Sequence, residues 1–549
     1  MHRLFLRALG LCYIVAFWSL RVQVVGLIGV NGIIPGDITL KNARLAHPQS
    51  FWFETPSILH WWALHTPEFD TALITVCNIG VASGFAMLLG YTTAIPAAVC
   101  YLCYLSLIHC GSVFLSFQWD VLLCEIGFLA LISSPWLYPT NEPPTPCYTW
   151  LLRLLLARFM LSCAVVKLNP TWTDYSAMMY HYLTTCLPSP LAYYAHAAPV
   201  WIHQLEVVAT FLVEFLTPLG VMCGSSVVRQ FAAWCMVVFQ IILFATGNYG
   251  FLPLLVTALA LACWEEQASA WSLIWPFWRR HSFYSEEEEE EEQRVSQRMR
   301  QRSKRVEEAE GLTGLIRMAW RPWDWMLCLL LFSMTLHPWL RLMSHQSLPE
   351  GTEAMMQWQK GFHLVHHYGL FAQMTHLRQE VSLDLGVQSQ QDTTYTRGGS
   401  VKGAMTWLPV AWRYKPDSDR LDKAPSWVAP HMPRLDWQLW FAALSERPPS
   451  WLLSLAGRLA EKRPSAWGLL DEAVQPMPAA QIVEIRLRKV TVTYAEEKRG
   501  QSDWWQIAED GGGEMEKASW NVVWQTASLH QALEAHHLWR SAGEGAIQW

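Results

Sequence analysis

Apolar residues run through the first 270 positions in long blocks separated by short polar breaks. About 20 apolar residues suffice to cross a bilayer. Candidate spans fall near 8–30, 70–92, 94–114, 120–139, 150–168, 204–224, 229–247 and 249–268, with a ninth at 323–343. Turn residues separate some of them, as in Tyr91-Thr92-Thr93-Ala94-Ile95-Pro96. Beyond residue 344 the pattern changes. Glu484–Arg488 alternates polar and apolar residues, and Val490–Tyr494 resumes the alternation after a one-residue slip at Arg488-Lys489, which predicts a half-buried strand with a bulge there. Ser400–Tyr414 predicts another strand, packed through Val401, Met405, Trp407 and Trp412. Leu435–Leu444 and Trp451–Leu459 have helical spacing on either side of the breaker Arg447-Pro448-Pro449. After the Gly-rich stretch at Gly511 a short helix is expected near Ser528–Leu538. The expected fold is an α-helical multi-pass membrane bundle of eight or nine spans followed by a β-rich soluble domain with a helical insert. Its expected division is a polytopic bundle at 1–270, a charged linker at 271–322, a last crossing at 323–343 and the soluble domain at 344–549.

Charge sharpens that division. Of the first 270 residues 21 are charged, against 43 of the last 206. The formal net charge of −6 excludes a basic nucleic-acid binder, so no nucleic-acid partner is expected. Arg3 and Arg7 precede the first span and place the N-terminus in the cytosol by the positive-inside rule. No small-residue cleavage site follows Arg21, so this segment is expected to remain as an anchor. Residues 279–310 hold eight Lys/Arg and ten Asp/Glu, including the run Glu286–Glu292, and have no apolar face, which predicts a solvated linker. Eight crossings return this linker to the cytosol, and the ninth delivers 344–549 to the lumenal side.

All 13 cysteines lie at or before Cys328, so a lumenal domain would neither hold nor exchange disulfides. Cys100 and Cys103 have redox spacing but sit inside an apolar block, where they read as small buried hydrophobes. No Asn-x-Ser/Thr sequon occurs. Neither a phosphate loop, a G-x-S-x-G elbow, an H-E-x-x-H pair nor Cys/His zinc spacing is present, so no catalytic residue, metal or cofactor is expected. His363, His366 and His367 have the spacing of a helical metal site, but no carboxylate accompanies them, and Tyr368-Gly369-Leu370-Phe371 reads as the start of a strand.

Ionisable residues at bilayer depth mark either function or pairs inside the bundle. The candidates for such a network are Asp120, Glu125, Arg158, Lys167, Glu206 and Glu214, with Arg153 near a span end. Arg158 and Lys167 are nine residues apart, about 180° around a helix, so one face cannot hold both. They need different acids, with Glu125, Glu206 and Glu214 on offer. Glu206 and Glu214, eight apart, can share a broad face.

Several stretches together resemble the lipase maturation factor family. They are Gly26–Pro35 (GLIGVNGIIP), Phe117–Leu129 (FQWDVLLCEIGFL), the run from Trp150 through Lys167 to Trp172, Tyr180-His181-Tyr182, Pro188–Leu191, Tyr368–Thr375 (YGLFAQMT) and, most specific, Trp427–Leu444 (WVAPHMPRLDWQLWFAAL). The resemblance runs in order from about residue 5 to 506. It implies a multi-pass protein of the endoplasmic reticulum membrane that is not an enzyme and assists folding and assembly of secreted lipases, notably homodimeric ones. The implied partners are secreted lipases or other lumenal clients, membrane lipid, and lumenal chaperones or redox proteins. Trp427, Pro430, His431, Arg434, Asp436, Trp437 and Trp440 are the candidates for client contact through exposed aromatic and apolar surface. The same residues read equally as the domain's own core and turns, with Arg434 and Asp436 paired to each other and Trp437 and Trp440 sharing a helix face.

Two other classes stay open. Cys163–Trp172 also resembles a stretch of the vitamin K-dependent γ-glutamyl carboxylase, which implies a membrane enzyme with Lys167 as base. Only one Lys stands where that family has two, and Asn169 stands where it has an Asp. A transporter would be expected to show inverted repeats, and none is evident.

Overall fold

The computed structural model describes residues 2–64, 68–136, 145–264, 325–335, 359–388, 405–416, 420–471, 478, 481–495, 503–507 and 521–526. Among them, six helices are long and apolar enough to cross a membrane. They are α1 (His2–Arg21), α2 (Phe69–Leu89), α3 (Ala94–Gly111, continued by a 3-10 turn to Leu115), α5 (Pro146–Val166), α6 (Val200–Cys223) and α7 (Ser226–Thr246). Shorter apolar helices are α4 (Gln118–Ser133), α8 (Leu252–Leu261) and α9 (Trp325–Thr335). A 21-residue helix such as α5 is about 31 Å long, the thickness of a hydrocarbon core.

The nine expected spans therefore correspond to six long helices and three short ones. The block 8–30 stops at Arg21, and a five-residue helix, Val24–Ile28, follows it. The block 120–139 ends at Ser133, two residues before Pro135, because the residue ahead of a proline leaves the helical region. The linker 271–322 and the proposed helix near Ser528–Leu538 lie outside the described residues.

Glycines let the first two spans touch. A Cβ at Gly10 would come within 2.7 Å of the Gly84 carbonyl, so α1 and α2 pack backbone to backbone there. Gly90, with φ of 112°, ends α2 in the left-handed conformation that glycine adopts without strain. The turn it opens lies at the end of the bundle that holds the N-terminus: Arg7 Nε donates to Leu88 O at 2.8 Å, and Ala94 N donates to Pro135 O at 2.8 Å.

The C-terminal module is built on a sheet of β1 (Arg378–Gln388), β2 (Met405–Pro409), β3 (Gln481–Tyr494), β4 (Trp505–Ile507) and β5 (Asn521–Gln525). All pairings are antiparallel, in the order β2-β1-β3-β4, and β5 pairs the first half of β3. Val381, Leu383 and Leu385 with Ile485 and Leu487 form the buried apolar face, while Asp384 meets Arg486 and Arg488 on the other. Two helices, α10 (Arg434–Leu444) and α11 (Ser450–Ala460), form the expected helical insert.

The structure departs from the sequence pattern at three places. Arg488 and Lys489 pair in register with Ser382 and Val381, and the irregularity lies at Gly386/Val387, opposite Glu484 and Ile482, so the extra residue is Val483. The Ser400–Tyr414 strand is extended only over Met405–Pro409 among the described residues, and Trp412 is buried beyond its end. Tyr368–Phe371 is not a strand: its backbone groups bond to the bundle, and the strand begins at Arg378. One apolar core runs without interruption from Phe5 of α1 to Leu487 of β3, joining bundle and module.

Candidate functional site at the seam between bundle and module

The module rests on the end of the bundle opposite the N-terminus. Among its contacts are the end of α1 (Ser19, Gln23), the α3–α4 turn (Val113, Phe114, Gln118), the residues after α5 (Lys167, Asn169, Trp172), the loop 183–186 and Asn248 after α7.

At its centre Arg434 reaches out of the module into the bundle. Its guanidinium grips Asp120 through two parallel bonds of 2.7 Å. It also donates to Phe114 O at 2.6 Å and to the Tyr104 hydroxyl at 3.2 Å, while Tyr104 donates to Asp120 at 2.5 Å. Arg434 and Asp120 are both 0% exposed. A carboxylate in the first turn of α4 is favoured by the helix dipole, but away from water it also needs a counter-charge, and the module supplies it. Neutral bonds frame the pair. Met432 N donates to Ser19 Oγ at 2.8 Å, Arg434 N to Gln23 Oε1 at 3.0 Å, and Gln23 Nε2 to Met432 O at 2.8 Å. His431 Nδ1 lies 3.0 Å from Ser19 Oγ. Trp437 packs on Trp119 and Phe117, with ring centroids 4.9 and 5.9 Å apart, and Trp440 Nε1 donates to Thr184 O at 3.1 Å.

A second patch lies under the strap 359–372. Arg158 of α5 pairs with Glu125 of α4, whose other oxygen accepts from Tyr368 at 2.6 Å. Lys167 donates to both oxygens of Glu214 at 2.8 and 2.9 Å, to Cys163 O at 3.1 Å and to Leu370 O at 3.1 Å. Gly369 N donates to Gln118 at 2.9 Å, Asn169 Nδ2 to Ala372 O at 2.5 Å, and Trp172 Nε1 to Phe371 O at 3.0 Å.

The candidate residues thus divide. Asp120, Glu125, Arg158, Lys167 and Glu214 gather at the seam, and Arg158 and Lys167 hold different acids, as their rotation about the helix requires. Glu206 stands apart with Tyr182 and His203 and shares no partner with Glu214. Arg434 and Asp436 do not pair. Two positions apart on a helix, they point about 160° away from each other, and Asp436 instead accepts from the backbone of Tyr414 and Lys415. Of the seven motif residues only Trp427 is exposed, at 60%. The exposed aromatic surface expected of the motif is otherwise used up in the seam.

Among the described residues no group of His, Cys, Asp and Glu could hold a metal. His363 and His366 bond to each other at 2.9 Å. Burial pushes the imidazole of His363 well below its ordinary value, that of His366 to about 3, and those of His181 and His431 to about 4. Neighbouring cations add to this: Lys167 acts on His181, Arg158 on His366, and Arg434 with Arg413 on His431.

Sequence reasoning missed Ser19, Gln23, Tyr104, Asn248 and Arg378. Arg378 donates to the carbonyls of Leu183, Thr185 and Cys186 and pairs with Glu380, which also holds Lys415. Polar residues at the ends of apolar blocks were the available signal for Ser19, Gln23 and Asn248.

Comparison with known proteins gives two family matches. A family described as "Lipase maturation factor transmembrane domain" matches residues 1–271, and one described as "Lipase maturation factor C-terminal domain" matches 364–511. Lipase maturation factor 2 of Gallus gallus is 31% identical over 588 aligned positions, covering 92% of this chain and 79% of the relative. The human protein of that name is 30% identical, with 92% and 81% covered. Lipase maturation factor 1 of Mus musculus is 29% identical, with 86% and 78% covered. No solved structure matches.

Proposed function

The chain belongs to the lipase maturation factor family, and from that premise we propose that it is a non-enzymatic protein of the endoplasmic reticulum membrane that assists folding and assembly of secreted lipases. The observation that carries this reading is the match to proteins of that name over 92% of the chain. The N-terminus lies in the cytosol and the C-terminal module in the lumen. Two facts support this sidedness: Arg3 and Arg7 flank the first span, and the module packs on the far end of the bundle from them.

In this reading the motif 427–440 is the clamp that fixes the module on the bundle. A lipase client is met by apolar side chains that the sheet leaves exposed, Met405, Ile507 and Val523 on β2, β4 and β5. Lys167 serves architecture: its ammonium donates to a carboxylate and two carbonyls, and it is 1% exposed, which does not favour the carboxylase-like reading.

The test is the specific activity of secreted lipases, per unit of lipase antigen, in cells lacking this protein. Wild type should restore it, and a chain ending before residue 344 should not. The double variant Lys167→Met/Glu214→Gln removes the ammonium without stranding a charge, and it should restore activity. Normal lipase activity in the null cells would remove lipases as clients. Loss of rescue in the double variant at unchanged protein level would return the account to chemistry at Lys167.

A further inference from the structure

Trp427 differs from the rest of its motif in being held outward. The backbone on either side of it is fastened: Asn248 accepts from Val428 N at 2.7 Å and Ala429 N at 2.9 Å, and donates to Ser426 O at 2.8 Å. The indole N–H donates to Ala245 O at 3.3 Å, and Ala245 is the penultimate residue of α7. The ring therefore sits at the depth where α7 ends. A helix of 21 residues covers about 31 Å, close to the hydrocarbon thickness, so that depth is the boundary between acyl chains and headgroups.

The surroundings agree. Below the ring the outer face of α7 exposes Ile241 and Ile242, the face of a span turned to lipid. Beside it, Ser189 Oγ donates to the same Ala245 carbonyl at 2.8 Å, which brings the helix Pro190–His196 and its exposed Tyr194 to this level. Trp201, exposed in the first turn of α6, is at the same end of the bundle. At the opposite end, Tyr91 and Trp136 are exposed around the turns joined by the bond from Ala94 to Pro135. Exposed aromatics at both ends of the spans are the pattern of a bilayer's two interfaces, where an indole places its ring in the apolar boundary and its N–H toward polar groups.

We propose that the C-terminal module is itself seated in the lumenal face of the bilayer, with phospholipid as the partner of Trp427. The module then has two anchors: a buried one in the bundle through Arg434 and a lipid one through Trp427. Together they fix its tilt as well as its position. The inference rests on the membrane reading of the helices and not on the identity of any client.

The experiment uses the full chain in phosphatidylcholine nanodiscs, with Cys223 and Cys235, the two cysteines that are not buried, replaced by Ser. A nitroxide is placed by Trp427→Cys, with Ile241→Cys as the lipid reference and Val523→Cys as the water reference. At 427 oxygen should relax the label more than a water-soluble nickel chelate does, as at 241. The reverse order, as at 523, would overturn the proposal and leave water or a protein as the neighbour of the indole. A second measurement needs no substitution. Phosphatidylcholine carrying a diazirine on its acyl chain should leave adducts on the peptide containing Trp427 as well as on α7. Adducts on α7 without any at Trp427 would contradict the proposal. Neither readout involves a lipase, so failure here leaves the maturation reading standing.

Discussion

The two patches of the seam are built on opposite plans. Under the strap 359–372 the charges are paired inside the bundle, Arg158 with Glu125 and Lys167 with Glu214, and the module adds neutral hydrogen bonds, among them the Tyr368 hydroxyl to Glu125 and the Leu370 carbonyl accepting from Lys167. Under α10 the bundle offers Asp120, and the counter-charge comes from the module as Arg434. A buried charge that loses its partner costs far more than a lost neutral hydrogen bond. The strap therefore reads the bundle's ion pairs without being required by them, whereas Asp120 requires the module to be in place. The first patch tunes docking, and the second makes it obligatory.

The largest expected effect follows from the second patch. Arg434→Met strands Asp120 and should lower stability by about 3–5 kcal/mol, seen as a fall in the melting transition of the purified chain. Adding Asp120→Asn should recover much of it. Lys167→Met should cost about 3 kcal/mol by stranding Glu214 inside the bundle, and Glu214→Gln should compensate without any change at Arg434. If Lys167→Met were silent in the melt, the division between the patches would collapse.

Acid should act next. His181, His363, His366 and His431 are neutral at the seam, with imidazoles held below the ordinary 6.5. A depressed value means the docked form binds fewer protons. Docking is thus at full strength above pH 6.5 and weakens as pH falls from there toward about 4, by about 1 kcal/mol per histidine at pH 5.5. Hydrogen exchange should show the strap opening at pH 5.5 relative to pH 7, and His363→Gln/His366→Gln should flatten that dependence. The smallest effect belongs to Tyr368→Phe. It removes one bond to Glu125 while Arg158 remains, for about 1 kcal/mol and a strap that exchanges faster.

Much of the molecule was legible in its sequence because the rules involved are local. Block length marked six helices long and apolar enough to cross a membrane, helical spacing marked Leu435–Leu444 and Trp451–Leu459, and rotation about α5 separated the partners of Arg158 and Lys167. The strand Arg378–Gln388 alternates at Val381, Leu383, Leu385 and Val387, but the apolar run Tyr368–Phe371 ten residues earlier mimics a strand start and hides it. The Asp120–Arg434 pair has no local signature. Its members are 314 residues apart, and only the folded topology makes them neighbours. Trp437 likewise reads as core or contact until Trp119 is placed beside it.

If Asp120 and Arg434 fasten the module to the bundle as one unit, a double-mutant cycle on the melting of the full chain will show it. The four proteins are wild type, Asp120→Asn, Arg434→Gln and the double variant. Each single change is expected to be strongly destabilising and the double to regain much of the loss, with a coupling of at least about 2 kcal/mol. Additive effects with no coupling would mean that the two residues do not depend on each other, and the clamp would not exist.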